Sequence, residues 1–270
     1  MSPPDPRESS PADFRVGCAG WSLPRAEQPR FAETGSHLER YASRFGAVEI
    51  NSSFHRPHRP ATYARWSASV PPTFRFSVKL PKTITHGQRL QETGGLLEDF
   101  LAESAGLGDK LGCLLVQLPP SLGFDPEVVA DFFADLRARS SVPLACEPRH
   151  PDWFGPQADD LLRELGVARV AADPARVPEA GEPGGWPGLR YYRLHGSPRM
   201  YYSAYSEEDL AALASRLQAD AAAGRTVWCI FDNTTLGAAT GNALDLAETL
   251  EKSLRVTRMD RTFALKGGPP

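Results

Sequence analysis

Short runs of aliphatic, β-branched and aromatic residues recur along the chain, separated by segments whose apolar positions lie three and four apart. The runs are RVGCAGW, GAVEINSSF, FRFSVKLP, LGCLLVQLP, VPLACEPRH, VARVAADP, LRYYRLHG and TVWCIFDN, which makes eight candidate strands. Between most of them lie helix-period segments: SHLERYASRFG, TYARWSASV, GLLEDFLAESAGLG, PEVVADFFADLRARS, ADDLLRELG, EEDLAALASRLQADAAAG and GNALDLAETLEKSL. Ser36, Asp125 before Pro126, and Ser206 before two acidic residues read as helix caps. Strands alternating with helices predict parallel pairing, and eight repeats predict an α/β, single-domain (β/α)8 TIM-like barrel. The Pro- and Gly-rich link from Pro174 to Gly188 predicts that the helix after strand six is missing or replaced by a loop. The barrel is expected over 14–258, after a disordered Pro/Ser-rich lead-in over 1–13 and before a C-terminal tail over 259–270.

Composition agrees with this outline and narrows the partners. A chain of 270 residues with 41% hydrophobic content can bury one large core. A formal net charge of −3 argues against bulk, sequence-independent binding to nucleic acid, although it leaves a local basic patch open. Cys18, Cys113, Cys146 and Cys229 are far apart and each sits in or beside an apolar segment, the pattern of reduced thiols in a cytoplasmic protein. No apolar run reaches the length of a membrane span and the first residues lack the apolar core of a signal peptide, so no membrane association is expected.

In a barrel of this class the C-terminal ends of the strands form the active-site face. Side-chain alternation places Glu49 with Asn51, Ser77 with Lys79, Glu147 with Arg149, Ala171 with Asp173, and Arg193 with His195. Gln117 and Asp232 extend the set, so that seven of the eight strands end in a polar or charged group. Either this ring is a polar pocket or it is a structural ion-pair network closing the barrel top.

The motifs GCAGWS, VEINSSFHRP, FRFSVKLPKTITH, LVQLPPSLGFD, EPRHPDWF, AADP, YYRLHG and WCIFDNTTLGAATGNALDL occur in order. Together they resemble those of the YecE-like proteins, domain-of-unknown-function family 72, from about Phe14 to about Leu254. The resemblance implies a TIM-like barrel; it implies no reaction, substrate or cofactor. At His55 family members commonly carry Tyr.

The chemistry therefore has to come from the residues. Lys79, Arg149 and Arg193 are expected to clamp a small anion, a phosphate or carboxylate that a sugar could carry. Glu147, Asp173, His195 and Asp232 are the candidate acids and bases. Glu49, Asn51, Gln117, His150, Tyr201, Tyr205 and Asn233 complete the expected substrate contacts, while His58 and His37 read as loop histidines, a reading also open for His86 as the cap of a turn. No metal ligand is assigned, because three cations interleave with the carboxylates and compete for them, and no cofactor motif has the required spacing. Three readings follow. The first is an enzyme acting on a small anionic substrate, a hydrolase or a lyase, with carboxylate and histidine acid–base chemistry. The second is a metal-dependent phosphodiesterase or nuclease-like barrel that uses Arg56, His58, Arg59 and Arg65 on a nucleic-acid backbone. The third is a non-catalytic ligand-binding or partner protein.

Overall fold

The computed structural model describes residues 14–266. Its strands are β1 (Phe14–Cys18), β2 (Ala47–Ile50), β3 (Arg75–Lys79), β4 (Leu111–Gln117), β5 (Leu144–Glu147), β6 (Val167–Arg169), β7 (Ala171–Asp173), β8 (Gly184–Gly185), β9 (Leu189–Leu194) and β10 (Thr226–Phe231). The α-helices are α1 (His37–Ala42), α2 (Pro60–Ala68), α3 (Gly94–Ser104), α4 (Pro126–Arg139), α5 (Pro156–Glu164), α6 (Glu207–Ala222) and α7 (Ala238–Lys266). Strands and helices alternate as the apolar periods predict. Ser36 and Ser206 each form a capping box, and Asp125 accepts from the first-turn N–H groups of Glu127 and Val128. α7 runs past Leu254, where the apolar pattern ends, because no Gly or Pro interrupts the sequence before Gly267.

The strands form two mainly parallel sheets, in the orders β1-β10-β9-β7 and β2-β3-β4-β5-β6-β8. β8 is the exception, pairing antiparallel with β6. The sequence segment read as one strand, VARVAAD, divides at Val170. Its first part pairs with β5 and its second with β9, so one extended segment serves both sheets. From Pro174 to Gly188 the chain has only a 3₁₀ turn, Pro178–Gly181, and β8, consistent with the expected missing helix.

Side chains on one strand face pack against the helices; those on the other face meet across the two sheets. Ala47, Cys113, Leu115, Ala145, Ala168, Val170, Leu189, Tyr191, Trp228 and Ile230 form this inner cluster. Its small members make room for its large ones, and the Tyr191 and Trp228 rings stack with centroids 5.9 Å apart. Gly17 belongs to the same arrangement: a Cβ there would lie 2.2 Å from the Ala47 carbonyl oxygen, so β1 can approach β2 this closely only without a side chain. At this contact an isolated parallel bridge joins Ala19 and Glu49, and the Gly20 N–H donates to the Glu49 carbonyl at 2.9 Å. The hydroxyl of fully buried Tyr41, from α1, supplies a second link. It accepts from the Cys18 N–H at 2.8 Å and donates to the Ala47 carbonyl at 3.1 Å.

Replacing Tyr41 by Phe keeps the ring but leaves the buried Cys18 N–H without its acceptor. Stability is expected to fall by about 1–3 kcal/mol, measured by denaturant unfolding.

Candidate functional site

Arg193, on β9, lies at the centre of the C-terminal strand ends and is 1% exposed. Its guanidinium makes four hydrogen bonds to three carboxylates. Nε donates to Glu49 Oε2 at 2.9 Å and Nη2 to Glu49 Oε1 at 2.6 Å; Nη1 donates to Glu147 Oε2 at 2.7 Å, and Nη2 also to Asp232 Oδ2 at 3.0 Å. The register explains the convergence. β9 lies between β7 and β10, and Glu49, Glu147 and Asp232 come from the ends of β2, β5 and β10, all on the inner face. Beneath the guanidinium, the Tyr191 hydroxyl lies 3.0 Å from Glu49 Oε2 and 2.9 Å from Ser77 Oγ.

This corrects the expectation that Arg193 clamps an external anion. Its fork is consumed by the protein's own carboxylates. Burial pushes the Glu147 and Asp232 carboxyls up, but Arg193 together with His195 and, for Glu147, Arg149 and, for Asp232, Lys79 outweighs it and holds both below the usual carboxylate range, Glu147 well below. Among the described residues no group of three or more His, Cys, Asp or Glu side chains is arranged to hold a metal ion.

His195, 1% exposed, lies against this network. Its Nδ1 is 3.2 Å from Asp232 Oδ2, while Nε2 is 3.0 Å from Glu147 Oε1 and 3.2 Å from Arg149 Nη2. With the Nδ1 proton on Asp232, a neutral ring accepts from Arg149 at Nε2; a protonated ring donates there to Glu147. Both charge states thus find partners in place. Tyr201, at φ +68° in the loop after β9, packs edge-on against the imidazole with centroids 5.6 Å apart, and its N–H donates to the His195 carbonyl.

Arg149 and Lys79 are less committed than Arg193. Arg149 Nη2 pairs with Glu147 Oε1 at 2.5 Å, yet its buried Nε has no partner among the described residues. Lys79 is 6% exposed, and its Nζ lies 4.0 Å above the Phe54 ring. Among the described residues that ammonium has neither a hydrogen bond nor an ion pair. Burial and then the Arg193 charge lower its pKa from 10.5 to about 8, against the opposing pull of Glu49, Glu147 and Asp232. His86, which the sequence leaves open as a loop histidine capping a turn, joins this group. It sits in the π-helical turn Thr83–Gly87, edge-on to Phe54 at 5.0 Å, and its pKa is lowered by burial and by the charges of Lys79 and Arg149. A small pocket opens on the other side of Arg149, lined by Pro148, Phe154, Ala172, Pro174, Arg176, Ala180 and His195.

The remaining predicted residues are not brought into this group. Asp173 takes the opposite face: β7 pairs Ala172 with Arg193 and Asp173 with Leu194, so Ala172 enters the site and Asp173 turns outward. There its Oδ1 accepts from the Tyr205 hydroxyl at 2.7 Å, and both residues line an outer cavity against α6. His150 Nδ1 caps its own turn by accepting from the Asp152 N–H at 3.3 Å. Asn233 donates to the Ser203 carbonyl at 2.9 Å and to Asn242 at 3.0 Å, while Gln117 donates to the neighbouring Leu118 carbonyl at 2.6 Å. Asn51 stands at the N-cap position of the short turn after β2 without a side-chain cap hydrogen bond, and its buried Oδ1 has no partner among the described residues.

A family model described as "Protein of unknown function DUF72" matches residues 15–263. The chain belongs to this family. A DUF72 relative, the UPF0759 protein YecE of Escherichia coli K12, is 32% identical over 161 residues, an alignment spanning 56% of this chain and 57% of that protein. A crystal structure of a DUF72 family protein from Thermotoga maritima superposes with a TM-score of 0.72 at 24% identity, covering 88% of this chain and 99% of that one. A xylose isomerase-like TIM barrel/4-hydroxyphenylpyruvate dioxygenase fusion protein superposes with a TM-score of 0.50 at 15% identity, over 92% of this chain and 44% of that one. The DUF72 chain thus has an α/β fold with parallel sheets similar to TIM-barrel proteins.

Two predictions follow from the buried charges. Replacing Arg193 by Met strands three buried carboxylates, and is expected to lower stability by about 3–5 kcal/mol or more in urea unfolding. Arg193→Lys is expected to recover little, since an ammonium lacks the fork that grips both oxygens of Glu49. Lys79→Met should do the opposite and stabilise the protein at neutral pH by roughly 1–3 kcal/mol. The sign follows from the lowered pKa. Below about 8 the folded state carries a buried charge at a cost, and between about 8 and 10.5 it has shed a proton that the unfolded chain keeps, so stability rises with pH there. Urea midpoints measured on both sides of this window are expected to rise with pH in the wild type and not to show that rise in Lys79→Met.

Proposed function

We propose that the two sheets join as one eight-stranded (β/α)8 barrel whose C-terminal mouth binds a small anionic substrate for carboxylate- and histidine-assisted chemistry. The Ala19–Glu49 bridge supports closure on one side, and the shared segment Val167–Asp173 supports it on the other. Four unpaired, buried cysteines support a reducing, cytoplasmic setting.

One observation carries the substrate class. The charges of Lys79 and Arg149 add to burial in lowering the pKa of His86, burial and the Arg193 charge lower that of Lys79, and the nearby carboxylates are held by Arg193. A substrate anion would relieve that repulsion and supply an acceptor to Arg149 Nε, which is buried without one among the described residues. Arg176 and His195, with the apolar walls of Pro148, Phe154 and Pro174, continue the basic lining across Arg149. His195, bracketed by Asp232 and Glu147, is the residue best placed to take and return a proton. Arg193 contributes by fixing those two carboxylates, not by touching the substrate.

Calorimetric titration with phosphate, small phosphate esters and short carboxylates tests this reading. The wild type is expected to bind at least one of these classes, with affinity falling as pH rises through about 8 and Lys79 loses its charge. Arg149→Met should weaken binding by about tenfold or more if one charge-assisted bond of roughly 1.5–3 kcal/mol is lost. Lys79→Met should remove the pH dependence near 8. No binding by the wild type, or equal binding by wild type and Arg149→Met, would return the ring of charges to a purely structural role.

A further inference from the structure

Among the charged groups buried at the strand ends, Lys79 is the exception. Glu49, Glu147, Asp232 and Arg193 are tied into one network, whereas Lys79 Nζ lies over an aromatic face and has no hydrogen-bond partner among the described residues. Burial without a hydrogen-bond partner disfavours the ammonium more than the neutral amine, against the attraction of the Phe54 ring face for the charge. A desolvated lysine beside other cations is activated as a nucleophile toward carbonyl carbon. We propose that Lys79 forms an imine with a small keto or aldehyde acid, with Arg149 holding the acid's anionic group.

This proposal rests on the anion-binding reading above and names its substrate class. The neutral Nζ adds to the carbonyl carbon, forming a C–N bond as the carbonyl π electrons pass to oxygen. The resulting hydroxyl leaves as water and a C=N bond replaces it. Written from the ammonium, two of its three N–H protons depart in that water and one remains on the iminium, so the step balances without an oxidant, reductant or further reactant. Arg149 fits the second task because its Nε is buried and unpartnered among the described residues. His86, near both groups and Phe54, and His195, in contact with Arg149, provide imidazoles on either side for the proton transfers.

The test is borohydride trapping of the intact protein with pyruvate, glyoxylate or the uncharged aldehyde propanal, followed by peptide mass spectrometry. The expected result is a reduced adduct on Lys79 well above that on the exposed lysines Lys82 and Lys252, with the selectivity lost when labelling is repeated in urea. Lys79→Arg should lack the adduct, and Arg149→Met should lose the preference for keto acids over propanal by about tenfold. Labelling spread evenly over Lys79, Lys82 and Lys252, or absent from Lys79, overturns the proposal. Anion binding in calorimetry without a Lys79 adduct overturns the imine and leaves the anion reading standing. A Lys79 adduct with propanal but no anion binding supports the reactive amine and removes the anion reading instead.

Discussion

The guanidinium of Arg193 is the point on which the rest of the site depends. Three carboxylates from three strand ends, Glu49, Glu147 and Asp232, can share a dry interior only because one planar cation meets all of them. The geometry of that fork fixes the carboxylates, and the carboxylates fix His195. Arg149 is drawn in by Glu147 Oε1, the oxygen that Arg193 leaves and His195 shares. Lys79 is left outside the arrangement, near the charges yet bonded to none of their carriers. The carboxylates thus depend on Arg193, while Lys79 stands apart from that network.

Much of the fold was legible from apolar spacing, because the strands are short runs buried on both faces, the helices are amphipathic, and the caps at Ser36, Asp125 and Ser206 are local devices. The missing helix was legible for a similar reason, since a Pro/Gly-rich link cannot form one. The site was legible only as a set. Alternation placed Glu49, Lys79, Glu147, Arg193 and His195 on the inner face, but whether a buried arginine meets a ligand or its own carboxylates depends on distances across the sheets, which no local pattern encodes.

Asp173 and His86 show two further limits. Asp173 looked like a site residue because it is acidic and ends a strand, yet its phase is set by pairing with β9, which puts Ala172 beside Arg193. Polarity alone chose the wrong member of the pair. His86 was passed over because it lies seven residues beyond Lys79 in a loop, and the π-helical turn that brings it back toward Phe54 has no sequence signature of its own. The inner cluster was easier to anticipate in kind than in detail. Small residues on β2, β5 and β6 leave space that Tyr191 and Trp228 fill, an exchange of volume between strands distant in sequence.

The segment from Pro174 to Gly188 has a consequence for how such a protein can change. It contributes Pro174, Arg176 and Ala180 to the wall of the pocket beside Arg149, yet it carries no α-helix that must pack along the sheet. Substitutions there would alter the shape and charge of the pocket while leaving the Arg193 network untouched. On the proposed reading of this pocket as part of a binding site, selectivity among related anions can drift through this one stretch of chain across a lineage while the Arg193 network stays constant.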